Sequence, residues 1–202
     1  VFEALTIHDH FPFGIDNHIE RLKQSCKKQL FENVDFSLIK NNILKIASQY
    51  ENGYVRILIL RNDSDEDFTI YSFYQQPINI PENYSLESQP APWHPGGDFE
   101  VNSDNIIGSK STSYAYNMKQ TREAIRNGFS DALLLSNKGV VLEGPTFSVG
   151  WIKGEIIYVP DLDLGILDSI TRKYLLKFGK ENKIATEVSR ITIDELYTVD
   201  TV

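Results

Sequence analysis

The ten residues from Gln89 to Asp98, which read QPAPWHPGGD, divide this chain more sharply than any other stretch. They contain three prolines and two glycines, residues that interrupt both helices and strands. We therefore predict a linker at 89–98, a small first domain at 1–88 and a larger second domain at 99–202. Val1 begins inside a strand-like pattern without a starting Met, and the last residues stop abruptly. Both ends are therefore expected to be truncated.

The first domain has the pattern of a strand, two helices and a strand pair. Apolar residues recur at helical spacing in two stripes, one after Asp16 and one after Asp35, and each aspartate is a candidate N-cap. Strand-like runs follow at 54–61 and 67–75. This order predicts a small α+β unit.

The second domain begins with a predicted helix at 116–127 that Gly128 closes. Short strands are predicted next, and a helix is predicted from Ser169 to about Gly179. The strand predictions cover residues 132–136, 140–142, 146–152, 156–159 and 185–189.

The charge balance narrows the function. The 202 residues include 20 Lys and Arg against 28 Asp and Glu, a net charge of −8. This charge disfavours nucleic acids and anionic membranes as partners, and no apolar run is long enough to span a bilayer. The only cysteine, Cys26, cannot form an intrachain disulfide, which suits a reducing compartment. The predicted location is the cytoplasm.

Two short motifs are weaker than they first look. Gly108-Ser109-Lys110-Ser111-Thr112 resembles a phosphate-binding loop, but the glycine that such a loop needs directly before its lysine is a serine here. His8-Asp9-His10 places two imidazoles on one face of a predicted strand. No further histidine or cysteine pair has ligand spacing, so no metal site is predicted.

Three other elements, taken in order, suggest chemistry. Lys110 is followed by Glu143 at the end of an apolar strand, and then by 167–172, which open a helix with exposed backbone amides. A carboxylate at such a strand end favours a cationic partner, and a helix N-terminus favours a phosphate. Spacing alone leaves ordinary alternatives open: a surface lysine, a strand-end charge and a simple helix cap.

In this order the segments resemble the class IV aminotransferases, the branched-chain and D-amino-acid type of pyridoxal-phosphate (PLP) enzyme. The similarity runs over nearly the whole chain. The segments that carry it are 1–3 (VFE), 16–22 (DNHIERL), 110–117 (KSTSYAYN), 142–144 (LEG), 158–160 (YVP) and 165–172 (GILDSITR). One departure is Pro145 after Glu143-Gly144, where family members commonly have serines.

The resemblance implies the fold of the D-amino-acid-aminotransferase-like enzymes, with a small α+β domain and a larger domain that has a barrel-like mixed sheet. It implies PLP as the cofactor, held by Lys110 as a Schiff base, and a homodimer. The cofactor-binding residues that it implies are Arg21, Tyr114, Ser169, Ile170 and Thr171, with Glu143 at the pyridine nitrogen.

Tyr54 and Arg56 are the candidate substrate residues. They alternate on a strand and so share a face, and an arginine on an apolar strand suits a carboxylate ligand. Branched-chain aminotransferases carry a similar Tyr-x-Arg, whereas the D-amino-acid enzymes use an arginine and a histidine in the following loop, and 61–67 contains no histidine. Transamination of a branched-chain or other apolar L-amino acid is therefore favoured. The alternatives are a D-amino-acid aminotransferase, an aminodeoxychorismate lyase-type enzyme and a truncated domain that does not hold PLP.

Overall fold

The computed structural model describes residues 1–64, 67–79, 82–92, 94 and 108–202. The chain forms two compact units. The first unit contains Val1–Ile80 and Ser109–Thr112, and the second contains Pro81–Gly108 and Ser113–Val202. Helices and strands occur in both units, which confirms the α+β class.

The first unit is an antiparallel sheet with two helices. Its strands, in the spatial order β2-β1-β3-β4, are β1 (Phe2–His8), β2 (Phe11–Pro12), β3 (Gly53–Arg61) and β4 (Phe68–Gln75). The helices are α1 (Ile15–Lys28) and α2 (Phe36–Ala47). The two helices were predicted from their apolar stripes, and both are present.

Alternation along β1 and β3 separates the two faces of this sheet. Leu5, Val55 and Ile57 are among the strand residues that are fully buried, in one cluster with apolar residues of α1 and α2. Their neighbours in sequence are half-buried or exposed and point the other way. We call this second side, opposite α1 and α2, the far face. On β1 and β3 it carries Phe2, Ala4, Thr6, Tyr54, Arg56 and Leu58.

Local details of the first unit differ from two of the sequence predictions. Asp35 caps α2, since its side chain accepts a hydrogen bond from the Leu38 amide at 2.9 Å. Asp16, however, lies inside the first turn of α1, and Gly14 occupies the N-cap with φ 60°. β1 ends at His8, and His10 follows in a turn with φ 65°. The two histidines therefore do not share a strand face, because a left-handed turn breaks the alternation.

The second unit contains parallel and antiparallel strand pairs. In one pair, β5 (Leu86–Pro90) runs parallel to β6 (Asp131–Leu135); in a three-stranded sheet, β8 (Ile156–Pro160) pairs antiparallel with β7 (Trp151–Lys153) and parallel with β9 (Thr186–Ser189). The helices are α3 (Ala115–Arg126), α4 (Ile170–Asn182) and α5 (Ile193–Leu196). The predicted mixed sheet is confirmed. No helix in the described residues is both long and apolar enough to cross a membrane.

The predicted linker overlaps a strand. Gln89 and Pro90 form the end of β5, opposite Leu134 and Leu135, and the compact units divide near residue 80 instead of residue 88. Proline is tolerated there because it ends the strand. Residues 93 and 95–98 of that linker lie outside the described residues.

Two predicted strands of the second unit are also shorter than expected. Residues 140–142 form only isolated bridges, and 146–152 is strand only from Trp151 onward. A tight turn precedes that strand, in which the Gly144 amide donates to the Phe147 carbonyl at 2.9 Å. This bond engages the Phe147 carbonyl locally, and residues 146–150 form no strand pairing.

Candidate active site

Lys110 lies in the short segment that belongs to the first unit, and its main chain is held on both sides. Its amide donates to Ser25 Oγ at 3.0 Å, and its carbonyl accepts from the Phe2 amide at 3.1 Å. The Nζ atom lies 4.5 Å from the centroid of the Phe2 ring, within the range of a cation–π contact. Because the Phe2 side chain is on the far face, the lysine amine lies at that face as well.

Tyr54 and Arg56 lie on the same far face as Phe2. In the antiparallel register Ala4 is opposite Arg56 and Thr6 is opposite Tyr54, and side chains opposite each other share a face. On the other side of β3, Phe73 is opposite Arg56.

The surroundings of Arg56 are mainly apolar. Its Nε donates to Gln75 Oε1 at 2.5 Å, and its guanidinium forms no ion pair with an acidic side chain in the described part of the chain. Its neighbours on the far face are Ala4, Leu58 and Phe73. A half-buried guanidinium with this environment suits an anionic ligand that has an apolar portion.

A buried ionic cluster lies on the opposite side of the same sheet. Glu3, which is 1% exposed, accepts hydrogen bonds from Arg21 Nε at 2.8 Å and Nη2 at 2.7 Å. His18 Nδ1 lies 2.7 Å from Glu3 Oε2. An ionised carboxylate can only accept, so this nitrogen carries the proton. The two-nitrogen fork orients Arg21, the predicted phosphate ligand, although a phosphate contact stays a prediction.

The same cluster sets the ionisation of Glu3. Burial alone would raise the pKa of this carboxyl, but hydrogen bonds from Arg21 and His18, together with their charges, lower the pKa below its ordinary 4.5. The stabilisation that ionised Glu3 gives to the folded state is therefore complete above about pH 4.5, the ordinary pKa of this carboxyl. It is lost as the pH falls through the lower folded-state pKa.

Glu3→Gln is expected to destabilise the fold by about 3–5 kcal/mol, since it leaves the buried Arg21 guanidinium without its counter-charge. Urea unfolding monitored by circular dichroism, repeated at several pH values, measures this loss. The acid-dependent part of the stability should also disappear in the variant. Glu32→Gln, a change at an exposed acid of the same unit, is the matched control. Equal unfolding free energies for both variants would contradict the role assigned to the cluster.

Glu143 lies in the second unit, in the turn before Gly144. Its Oε2 accepts from the Leu167 amide at 3.1 Å, and its carbonyl accepts from the Leu134 amide at 2.9 Å. The first bond connects the carboxylate to the loop that leads into α4. Gly108 lies against the same loop, with φ +72°, and a Cβ there would come within 3.0 Å of the Ile166 carbonyl oxygen. A side chain at this position would therefore be strained and crowded.

The N-terminus of α4 contains the other predicted phosphate residues. Ser169 is the N-cap, and its Oγ accepts from the Arg172 amide at 3.0 Å. Ile170 and Thr171 are the first two helical residues, whose amides have no partner within a helix. Ile170 is buried, and Thr171 is exposed. This turn has the donor set for an anion, provided by the backbone.

Arg172 and Lys173 fix the start of this helix. Arg172 Nε donates to the Pro160 carbonyl at 3.1 Å, and Lys173 Nζ lies 2.9 Å from Asp168 Oδ2. Tyr114, the remaining predicted cofactor residue, is the half-buried N-cap residue of α3, and its side chain makes no capping hydrogen bond. Its contact with the cofactor's 3′-oxygen stays a prediction. No group of three or more metal-ligating side chains occurs in the described residues.

Sequence reasoning did not assign roles to Glu3, His18, Ser25 and Gln29. His18 and Ser25 lie on α1 with Arg21, and Gln29 is the C-cap of that helix. Together the four side chains follow one another at steps of three and four residues. A polar line beside an apolar stripe at helical spacing was the available signal. The partners of these residues on β1 and in the lysine segment are distant in sequence, so the contacts themselves could not be predicted.

Comparison with known proteins is consistent with this arrangement. The sequence profile of the family described as amino-transferase class IV matches residues 1–202. A probable branched-chain-amino-acid aminotransferase of Thermotoga maritima is 30% identical, over 99% of this chain and 70% of that protein. The chain therefore belongs to the class IV aminotransferase family, whose members are PLP-dependent enzymes.

Other relatives differ in their described activities. An aminodeoxychorismate lyase of Bacillus subtilis is 29% identical over 99% of this chain and 71% of its own length. A D-alanine aminotransferase of Bacillus licheniformis is 26% identical over 100% of this chain and 73% of that protein. These relatives share one family and differ in the reaction that their names describe.

Solved structures share the fold. A fold IV-transaminase from Curtobacterium pusillum superposes with a TM-score of 0.88 at 24% identity, covering 99% of this chain and 70% of that one. A hypothetical aminotransferase from Mycobacterium tuberculosis in its PLP-bound form gives 0.86 at 22% identity, covering 98% and 74%. The donor set described above is compatible with PLP, because it includes a lysine amine, a carboxylate and backbone amides at a helix start.

Proposed function

We propose that this protein transfers an amino group between an apolar L-amino acid, with branched-chain donors favoured, and a 2-oxo acid, with PLP covalently held by Lys110. The main support is that the Lys110 amine lies at the far face, the side of the first sheet that also carries Tyr54 and Arg56. If Arg56 binds the substrate carboxylate, the amino group of the substrate would lie along the far face, where the Lys110 amine also lies.

The proposed roles of the individual residues follow from their chemistry. PLP supplies an electron sink for the electrons of the substrate Cα–H bond. Lys110 accepts and returns the Cα proton. Glu143 keeps a proton on the cofactor's ring nitrogen, and Tyr114 donates to its 3′-oxygen. The phosphate ligands proposed in the first unit and in the second are, respectively, the Arg21 guanidinium and the start of α4, with Ser169, Ile170 and Thr171.

The preference for apolar donors is supported by the neighbours of Arg56. Leu58 and Phe73 flank it on the far face, and Phe2 lies opposite Leu58. These side chains suit an aliphatic substrate better than a charged one. The proposal includes a homodimer, as the family resemblance implies.

Arg56→Met is expected to reduce kcat/KM for L-leucine by about 10²-fold or more, because a charged hydrogen bond to the carboxylate is lost. A plain amine without a carboxylate should lose little. Arg122→Met, a change at an exposed arginine on α3, serves as the control. Steady-state kinetics with L-leucine, D-alanine and the amine test both the role and the stereochemistry. Equal losses on all three substrates, or a parent enzyme faster on D-alanine, would overturn this reading.

An aminodeoxychorismate lyase activity is the second candidate, and the similarity to the Bacillus subtilis lyase favours it. The two reactions differ in their requirements. A lyase releases pyruvate from 4-amino-4-deoxychorismate alone, whereas a transaminase requires a 2-oxo acid acceptor. Pyruvate formation without an acceptor, in place of acceptor-dependent turnover of L-leucine, would establish the lyase and reject the proposed transaminase.

A further inference from the structure

One edge of α1 carries a polar line that connects two parts of the first unit. Arg21 and His18, at the N-terminal end of the line, bind Glu3 on β1. Ser25 and Gln29 follow at one-turn intervals. Ser25 is 2% exposed, so its hydroxyl is inside the protein and not at the solvent surface.

The C-terminal half of this line binds the lysine segment. Ser25 Oγ accepts from the Lys110 amide at 3.0 Å, and Gln29 Nε2 donates to Ser109 Oγ at 3.1 Å. On the other side, the Phe2 amide donates to the Lys110 carbonyl at 3.1 Å. Lys110 therefore has its amide bound by a helix and its carbonyl bound by a strand.

This double attachment has a consequence for the reacting amine. A lysine side chain has four rotatable bonds, so the reach of Nζ depends on where its main chain is fixed. The segment has no regular secondary structure around Lys110, so contacts with neighbouring elements fix its position. Displacement of a catalytic group by about 1 Å can cost about 10²-fold in rate.

We propose that Ser25 is a positioning residue that fixes the main chain of Lys110, with Gln29 supporting the neighbouring Ser109. The inference rests on the proposed function, in which Lys110 holds the cofactor. A serine suits this place because its short side chain fixes the acceptor oxygen close to the helix. Alanine would leave the Lys110 amide without this acceptor, at a partly buried site.

The test compares Ser25→Ala and Ser25→Thr with two controls. Ser48→Ala removes a hydroxyl that donates to the Lys45 carbonyl on α2, far in sequence from the lysine segment. Cys26→Ala truncates a buried core residue next to Ser25 on the same helix. The controls separate loss of a hydrogen bond, and general loss of stability, from loss of lysine positioning.

Two quantities are measured for each protein. The first is the rate at which apoprotein incorporates PLP at Lys110, trapped with borohydride and located by peptide mass spectrometry. The second is the pair of steady-state constants kcat and KM for L-leucine, each determined separately. Ser25→Ala should lower the incorporation rate and kcat by about 10- to 100-fold, with KM changed less than about threefold. Ser25→Thr keeps the hydroxyl and should recover most of both losses, and the two controls should match the parent.

The outcomes discriminate between two failures. If the parent shows no borohydride label at Lys110, the proposed function fails. If the parent is labelled but folded Ser25→Ala incorporates PLP at the parent rate, only the positioning inference fails. Equal losses in Ser25→Ala, Ser25→Thr and Cys26→Ala would assign the effect to packing and also reject it. Should Ser25→Ala not fold, Gln29→Leu decides: a three- to tenfold slower incorporation supports the inference, and a parent rate overturns it.

Discussion

Lys110→Ala is expected to eliminate turnover while the protein stays folded. Lys110 is half-buried, and its side chain contacts the Phe2 ring. It is not part of the buried apolar cluster of the first unit. The hydrogen bonds with Ser25 Oγ and with the Phe2 amide involve only its main chain, so alanine can retain both. A positioned proton-transfer group contributes about 10²–10⁴-fold, and loss of the covalent attachment of PLP adds to that. The combined loss should exceed about 10³-fold.

Three measurements test this result. Circular dichroism should show a parent-like fold, borohydride should no longer attach PLP to the peptide that contains residue 110, and transamination should fall to background. Lys45→Ala, which alters an exposed lysine in the last turn of α2, is the matched control. Appreciable transamination by Lys110→Ala, or label on a different lysine in the parent, would show that another amine holds the cofactor.

Local sequence signals predicted the helices and strands of the first unit well. α2 has its cap, Asp35, and its apolar stripe within one short segment, so no distant contact is needed to define it. α1 was found from its stripe, but its start was misplaced. Gly14 caps it by adopting a left-handed conformation, and Asp16 looked like a better cap on residue type alone.

The second unit was harder to predict because its strands depend on distant partners. β5 contains Pro90 and polar residues, and it becomes a strand by pairing with β6 about 45 residues later in the chain. Residues 146–150, by contrast, have strand-like composition but follow a tight turn at Gly144. Composition cannot distinguish these cases, since the deciding hydrogen bonds are non-local.

The candidate site was predicted in part. Residue type and order indicated Lys110, Glu143 and the start of α4, and the family resemblance supplied their proposed roles. The contacts that hold them were not predicted. Ser25 and Lys110 are separated by 85 positions in the chain, and a serine on a helix edge has many possible partners. Supporting residues of this kind become visible only when the folded chain is known.

Glu143→Gln is expected to keep PLP bound and to slow proton removal from Cα by about 10²–10³-fold, the usual cost of losing one charge-stabilising group in an active site. The glutamine side chain has the same shape, and its amide oxygen can still accept from the Leu167 amide. What it cannot do is balance a proton on the cofactor's ring nitrogen, because a neutral amide lacks the carboxylate charge. The cofactor would then draw electrons from Cα less strongly.

Single-turnover kinetics with L-leucine carrying hydrogen or deuterium at Cα measure this step directly. The variant should have a larger isotope effect than the parent, since proton removal becomes more fully rate-limiting. Glu155→Gln, a change at an exposed acid in the turn between β7 and β8, should behave like the parent. Glu143→Ala separates charge from structure: it should also lose stability, because the Leu167 amide loses its acceptor. A parent rate and isotope effect in Glu143→Gln would reduce Glu143 to a structural contact that connects its turn to the loop before α4.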